Sequence, residues 1–135
     1  MPRFSSKSKS KLDTCDKRLV KLFKEVVKKY DCTIIEGYRG KERQNDAYRK
    51  GNSKVKYPNG RHNSNPSKAV DVTPYPVKWE DRERQTFFAG FVLGIARSMG
   101  INLRWGGNWD MYKENGKWEV ADNRFDDFPH FEIYE

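Results

Sequence analysis

The chain has 135 residues, with 27 Lys or Arg against 19 Asp or Glu and a formal net charge of +8. That length fits one domain that buries a real core without disulfides, and 14% aromatic residues beside 34% charged ones argue against disorder. No stretch is long and apolar enough to span a membrane, and the positive balance points toward anionic polymers, whether nucleic acid or a bacterial envelope.

Residues 1–11 are rich in Ser and Lys and read as loosely held, with Phe4 as an anchor. Their charges are not followed by an apolar run, so no signal peptide is expected. From 13 to 30 the apolar residues Leu19, Leu22, Phe23, Val26, Val27 and Tyr30 recur at spacings of three and four. This marks one face of an amphipathic helix, with Asp13 or Thr14 as its cap. Cys15 and Cys32 flank that pattern. A helix between them would hold them roughly 25 Å apart, so free thiols are expected.

Residues 32–36 (CTIIE) read as a short buried strand ended by Gly37, and 41–50 as a short helix stopped by Gly51. Residues 51–67 form a long Asn/Ser/Gly/Pro loop, and long loops inside compact domains are often functional. A strand over 68–73 is closed by Pro74 and Pro76. The second long helix runs 81–99, with Phe87, Phe88, Phe91, Val92, Ile95 and Met99 apolar, and Gly100 ends it. A strand near 101–105, a Gly-Gly-Asn-Trp loop, a hairpin around Asn115-Gly116 and a last strand over 130–134 follow. The expected class is α+β: a single domain with a small antiparallel sheet flanked by helices.

The chain has two histidines, His62 in the polar loop and His130 at the start of the last strand. Strand alternation puts His130, Glu132 and Tyr134 on one face and Phe131 and Ile133 on the other. Asp71 lies inside the apolar run Ala-Val-Asp-Val, where a carboxylate must face solvent or find a partner. Two His and one Asp make a three-ligand set that leaves a fourth position for water, the pattern of catalytic zinc. The plain alternatives are structural histidines and a salt-bridged strand acid. A general base is also needed. Asp127 precedes His130 by three residues across Pro129, and Asp126 is its rival. Arg39, at the end of the first strand beside glycine, is placed as a positive donor for an oxyanion.

Taken in order, Gly37-Tyr38-Arg39 with Gln44, His62 through Asp71-Val-Thr-Pro, Arg104-Trp-Gly-Gly-Asn-Trp-Asp110, and Asp127-Phe-Pro-His130-Phe-Glu resemble one family. This is the D-alanyl-D-alanine carboxypeptidase family of zinc peptidases, and within it the phage L-alanyl-D-glutamate peptidase endolysins. The resemblance covers 12–135. It implies the hedgehog/D-Ala-D-Ala peptidase type of fold, Zn2+ on His62, Asp71 and His130, Asp127 as catalytic acid/base, and Arg39 as a substrate- or transition-state-stabilising residue. It also implies that Gln44 and the loop from Trp105 to Trp109 line or support the cleft.

Two departures stand out. Gly60 occupies a position where many relatives have serine, and eight residues separate His62 from Asp71 where many relatives have six. The implied activity is hydrolysis of the L-alanyl-D-glutamate bond in the peptidoglycan stem peptide, with a D-Ala-D-Ala carboxypeptidase as the alternative. Such an enzyme is made in the host cytoplasm, released by a holin, drawn to the anionic envelope by its charge, and monomeric. A basic nucleic-acid-binding protein is the reading from another class, but no nucleic-acid motif supports it.

Overall fold

The computed structural model describes residues 2–107 and 127–134. The elements in chain order are helices α1 (Ser6–Leu12) and α2 (Lys17–Lys29), strand β1 (Cys32–Glu36), helix α3 (Lys41–Arg49), a 3-10 turn at Arg61–Asn63, strand β2 (Ala69–Pro74), helix α4 (Arg82–Ser98), and strands β3 (Leu103–Trp105) and β4 (His130–Ile133). The strands form one sheet of order β1-β2-β4-β3, antiparallel throughout. The α+β expectation is met.

The apolar stripe of α2 and the inner face of α4 (Phe88, Ala89, Val92, Ala96) meet one face of the sheet. That face carries Val70 and Val72 from β2 and Phe131 and Ile133 from β4, each at most 1% exposed. The Phe131 ring sits edge-on to Phe23 at 5.6 Å and to Phe88 at 6.2 Å, geometries that aromatic pairs favour. The alternate residues Asp71, His130 and Glu132 therefore project from the opposite face. A helical stripe of period 3.6 and strands of period 2 are satisfied by the same core.

The segment that the sequence reads as loosely held carries a helix. Ser5 caps α1 by accepting the Ser8 N–H, and α1 docks on the edge strand. Ser8 Oγ accepts the Ile34 N–H at 3.1 Å, and Lys11 Nζ donates to the Ile35 carbonyl at 3.0 Å. Strand β1 is an edge strand with unpaired backbone groups, and α1 covers them. Phe4 packs against the core as expected.

The helix expected over 13–30 is shorter, α2 at Lys17–Lys29, and a separate helix, α1, precedes it. Cys15 leaves the helical path to bridge Ser67, and Asp16, rather than Asp13 or Thr14, caps α2. Both thiols are free and buried. Helix α4 starts after its cap Asp81 and ends at Ser98, with Met99 as its C-cap and Gly100 following at φ +72. The hairpin at Asn115-Gly116, Trp109, Asp110 and Asp126 lie outside the described residues.

Candidate metal centre

Strand register builds one row across the sheet: Glu36 lies opposite Asp71, and Asp71 opposite His130. His62 is brought to the same place by the 3-10 turn. That turn is tied down through the Arg39 N–H to the His62 carbonyl at 2.8 Å and the Lys68 N–H to the Arg61 carbonyl at 3.1 Å. His62, Asp71 and His130 are all buried, between 4% and 8% exposed.

Their polar atoms converge. His62 Nε2 is 3.2 Å from Asp71 Oδ1 and 3.3 Å from His130 Nδ1, and His130 Nδ1 is 3.4 Å from Asp71 Oδ1. A tetrahedral ion with bonds of about 2.0–2.1 Å holds its ligand atoms about 3.3–3.4 Å apart. The ring nitrogens facing away are already engaged. His62 Nδ1 donates to the Gly37 carbonyl at 2.7 Å, and His130 Nε2 donates to Glu132 Oε1 at 2.8 Å. Those bonds fix the tautomers, so the two inner nitrogens present lone pairs beside a carboxylate oxygen. Three converging acceptors fit a cation, and this cluster is the metal-type group found among the described residues.

The electrostatics point the same way. Burial pushes Asp71 up, but His62 and His130 beside it outweigh that and hold it well below the usual carboxylate range. Burial pushes His130 down, but its bonds to Asp71 and Glu132 raise it to about 10. The locus therefore demands positive charge, and a proton competes with a metal for it.

Asp127 lies beside the cluster. Its Oδ2 is 3.7 Å from His130 Nδ1, on the side of the ring that faces the cluster. Burial, reinforced by the charge of Asp71, pushes it up to about 6. Backbone ties fix the approach: the Asp127 N–H donates to the Gly106 carbonyl at 2.9 Å, and the Gly106 N–H to the His130 carbonyl at 2.8 Å. A Cβ at Gly106 would collide with the Asp127 carbonyl, so only glycine fits there. The Phe128 carbonyl accepts both Trp105 Nε1 at 2.7 Å and Gln85 Nε2 at 3.1 Å, which pins the turn leading into His130.

Arg39 is more tightly engaged than the sequence suggests. Its Nη2 is 2.8 Å from Glu36 Oε1 and 3.5 Å from Asp71 Oδ2, and its Nη1 donates to Gln44 Oε1 at 3.1 Å. It thus abuts the back of Asp71 and leaves Oδ1 to the histidines. Gln44, 1% exposed, also accepts from Asn63 Nδ2 at 3.2 Å and donates to Ser53 Oγ and the Val55 carbonyl. It therefore joins α3, the cleft wall and the turn that carries His62. A Cβ at Gly60 would meet Asn63 Oδ1 at 2.7 Å and Gln44 Oε1 at 2.9 Å. The two amides fill the space into which a residue 60 side chain would grow.

Sequence reasoning missed the role of Glu132. It accepts from His130 with one oxygen and from Arg104 Nη2 at 2.7 Å and Arg61 Nε at 3.4 Å with the other. Burial pushes it up, but His130 and Arg104 outweigh that and hold it at about 2. The signal was the strand alternation that puts Glu132 beside His130. A cleft of about 500 Å³ opens over the cluster, lined by His62, Asp127, His130 and Glu132, by Arg39, Gln44, Arg61 and Arg104, and by residues of the 52–60 loop.

An open cleft over two His and one Asp, with a second carboxylate, that of Asp127, beside them, is the arrangement that a metal-dependent hydrolase uses. The sequence matches the family of phage L-alanyl-D-glutamate peptidases over residues 1–134, and the chain belongs to that family. Among solved structures it is similar to the Serratia marcescens L-Ala D-Glu endopeptidase ChiX. That match has a TM-score of 0.75 and 26% identity, and covers 98% of this chain and 91% of the other. No curated protein matches the chain. The chain is a peptidase of peptidoglycan.

Proposed function

We propose that this peptidase is a zinc enzyme that hydrolyses the L-alanyl-D-glutamate bond of the peptidoglycan stem peptide. The observation that carries the reading is the triangle of His62 Nε2, Asp71 Oδ1 and His130 Nδ1, with sides of 3.2–3.4 Å and both histidine tautomers fixed from behind. Zn2+ held there would supply Lewis acidity toward the scissile carbonyl and lower the pKa of a water toward 7.

The residues divide the remaining work. His62, Asp71 and His130 are the ligands. Asp127, beside the inner nitrogen of His130, takes the proton of the attacking water and delivers it to the leaving amine. Burial raises its proton affinity, which suits a group that must both accept and release a proton. Arg39 adds positive potential at the cleft, where negative charge develops on the carbonyl oxygen, and holds Asp71 in place. The protein acts as a monomer after holin-type release into the wall, and its +8 charge draws it to the anionic envelope.

The test is incubation of the zinc-loaded protein with purified muropeptides, with and without chelator, read by mass spectrometry. Cleavage between L-Ala and D-Glu that chelator abolishes and zinc restores is the expected result. Release of a terminal D-Ala instead would assign the carboxypeptidase reaction, and cleavage indifferent to chelator would overturn the zinc reading.

A further inference from the structure

The cleft wall beyond the metal cluster is positively charged. Arg39, Lys54, Arg61 and Arg104 line it, against Asp127 and Glu132. Arg39 is committed to Glu36, Asp71 and Gln44. Arg61 differs. It precedes the ligand His62 in the same turn, and its side chain is 39% exposed. Its single side-chain hydrogen bond among the described residues is the 3.4 Å contact from Nε to Glu132 Oε2. That oxygen already receives Arg104 at 2.7 Å, and the other oxygen of Glu132 receives His130. One carboxylate divided three ways leaves the Arg61 charge largely uncompensated. Its two Nη groups have no hydrogen-bond partner among the described residues.

The substrate supplies a matching anion. Glutamate has two carboxyl groups. When it is cut from its neighbour by an endopeptidase, the peptide continues through one of them, and the other remains within roughly 5 Å of the scissile nitrogen. A planar guanidinium whose two Nη groups are open is the side chain best shaped for a carboxylate.

We infer that Arg61 binds the free carboxylate of the glutamate following the scissile bond, and so makes the enzyme selective for stem peptides in which that carboxyl is an acid rather than an amide. The inference rests on the L-alanyl-D-glutamate reading above. It assigns specificity to a residue next to a metal ligand, on the face of the cleft where Glu132 links Arg61 to His130. The carboxylate replaces the weak Glu132 contact with charge-assisted bonds, while Arg104 keeps Glu132 satisfied. A primary amide in the same place would offer one oxygen and bring an N–H2 group against a cation.

The experiment uses two synthetic stem peptides identical except for the glutamate carboxyl outside the chain, free in one and a primary amide in the other. Cleavage by zinc-loaded protein is followed by mass spectrometry. The wild type is expected to prefer the acid by about 10- to 100-fold in kcat/KM, the weight of a charge-assisted contact. Arg61→Gln should bring the acid down to the level of the amide, slowing cleavage of the acid at least about tenfold more than cleavage of the amide. Arg61→Lys should retain an intermediate preference. Equal cleavage of both peptides by wild type, or an equal slowing of both by Arg61→Gln, overturns the inference while leaving the peptidase reading intact. Failure of the wild type to cut either peptide overturns that reading and the inference with it.

Discussion

The two faces of one sheet are built from the same strands and follow opposite rules. On the covered face Val70, Val72, Phe131 and Ile133 are apolar, interchangeable in kind and held by packing. On the cleft face Asp71, His130 and Glu132 alternate with them, yet each is fixed by a directed bond to a particular atom. The strand repeat of two keeps these chemistries 180° apart, and a one-residue slip would put Asp71 in the core and Val70 in the cleft. Stability therefore belongs to one face and reactivity to the other, and substitutions should separate them.

The largest effect is expected from His62→Ala. On the proposed three-ligand site, this substitution should remove stoichiometric metal and lower kcat/KM by at least ~10⁴-fold, since the metal would no longer be there to acidify a water. Metal content by mass spectrometry and turnover of muropeptide check it together. Asp127→Asn comes next: it should keep the metal and lose ~10²–10⁴-fold in rate, the range of general acid-base catalysis. If Asp127→Asn lost metal as well, Asp127 would be a ligand rather than a base.

Phe131→Ala, on the other face of the same strand, should reverse the signature. Emptying a site that touches Phe23 and Phe88 should cost about 3–5 kcal/mol in urea unfolding. The fraction that stays folded should still bind one metal. Loss of metal binding by folded Phe131→Ala would break the division between the faces. Glu132→Gln is a finer probe. It keeps an oxygen for His130 Nε2–H but removes the charge, and should weaken metal affinity or activity by about 10- to 100-fold. An unchanged affinity would mean that hydrogen bonding alone, without charge, orients His130.

Much of this division is legible in the amino-acid sequence. The repeat in β4 puts His130 and Glu132 opposite Phe131 and Ile133, and the lone acid in Ala-Val-Asp-Val marks the strand that carries Asp71. What stays hidden depends on tertiary register or on adjacency. That Glu36, Asp71 and His130 form a row follows from the pairing of three strands, which no single segment encodes. The part of Arg61 is invisible because a basic residue beside a loop histidine looks like any of the 27. The N-terminal helix escapes for a related reason: Ser and Lys are poor signals of burial, yet Ser8 and Lys11 serve backbone groups of the edge strand rather than the core. The break at Cys15 is hidden because the apolar stripe starts only at Leu19, so nothing in the periodicity marks where the chain turns.

That break supplies the smallest and most selective probe. Asp16 accepts the Arg18 N–H at 2.9 Å as the cap of α2, and its carboxylate pairs with the Arg18 guanidinium at 2.9 Å. Its own N–H donates to the Ser67 carbonyl, just before the strand that carries Asp71. The Arg18 hydrogen bond holds Asp16 at about 2, below its ordinary 3.8. A carboxylate depressed in the folded state stabilises the fold above the unfolded value. Its contribution is complete above about pH 5, and is lost as the pH falls toward 2. Asp16→Ala should therefore cost about 1 kcal/mol at pH 7, with activity per folded molecule unchanged. Asp16→Asn, which still caps, should cost less, and its deficit against wild type should shrink as the pH falls through about 2 and vanish below it, where the wild-type carboxyl is protonated. Urea unfolding of the chelator-treated proteins at pH 7 and at low pH measures both differences. If Asp16→Ala impaired turnover as much as stability, the cap would be holding the cleft face as well as the core, and the two faces would be coupled through the Ser67 contact.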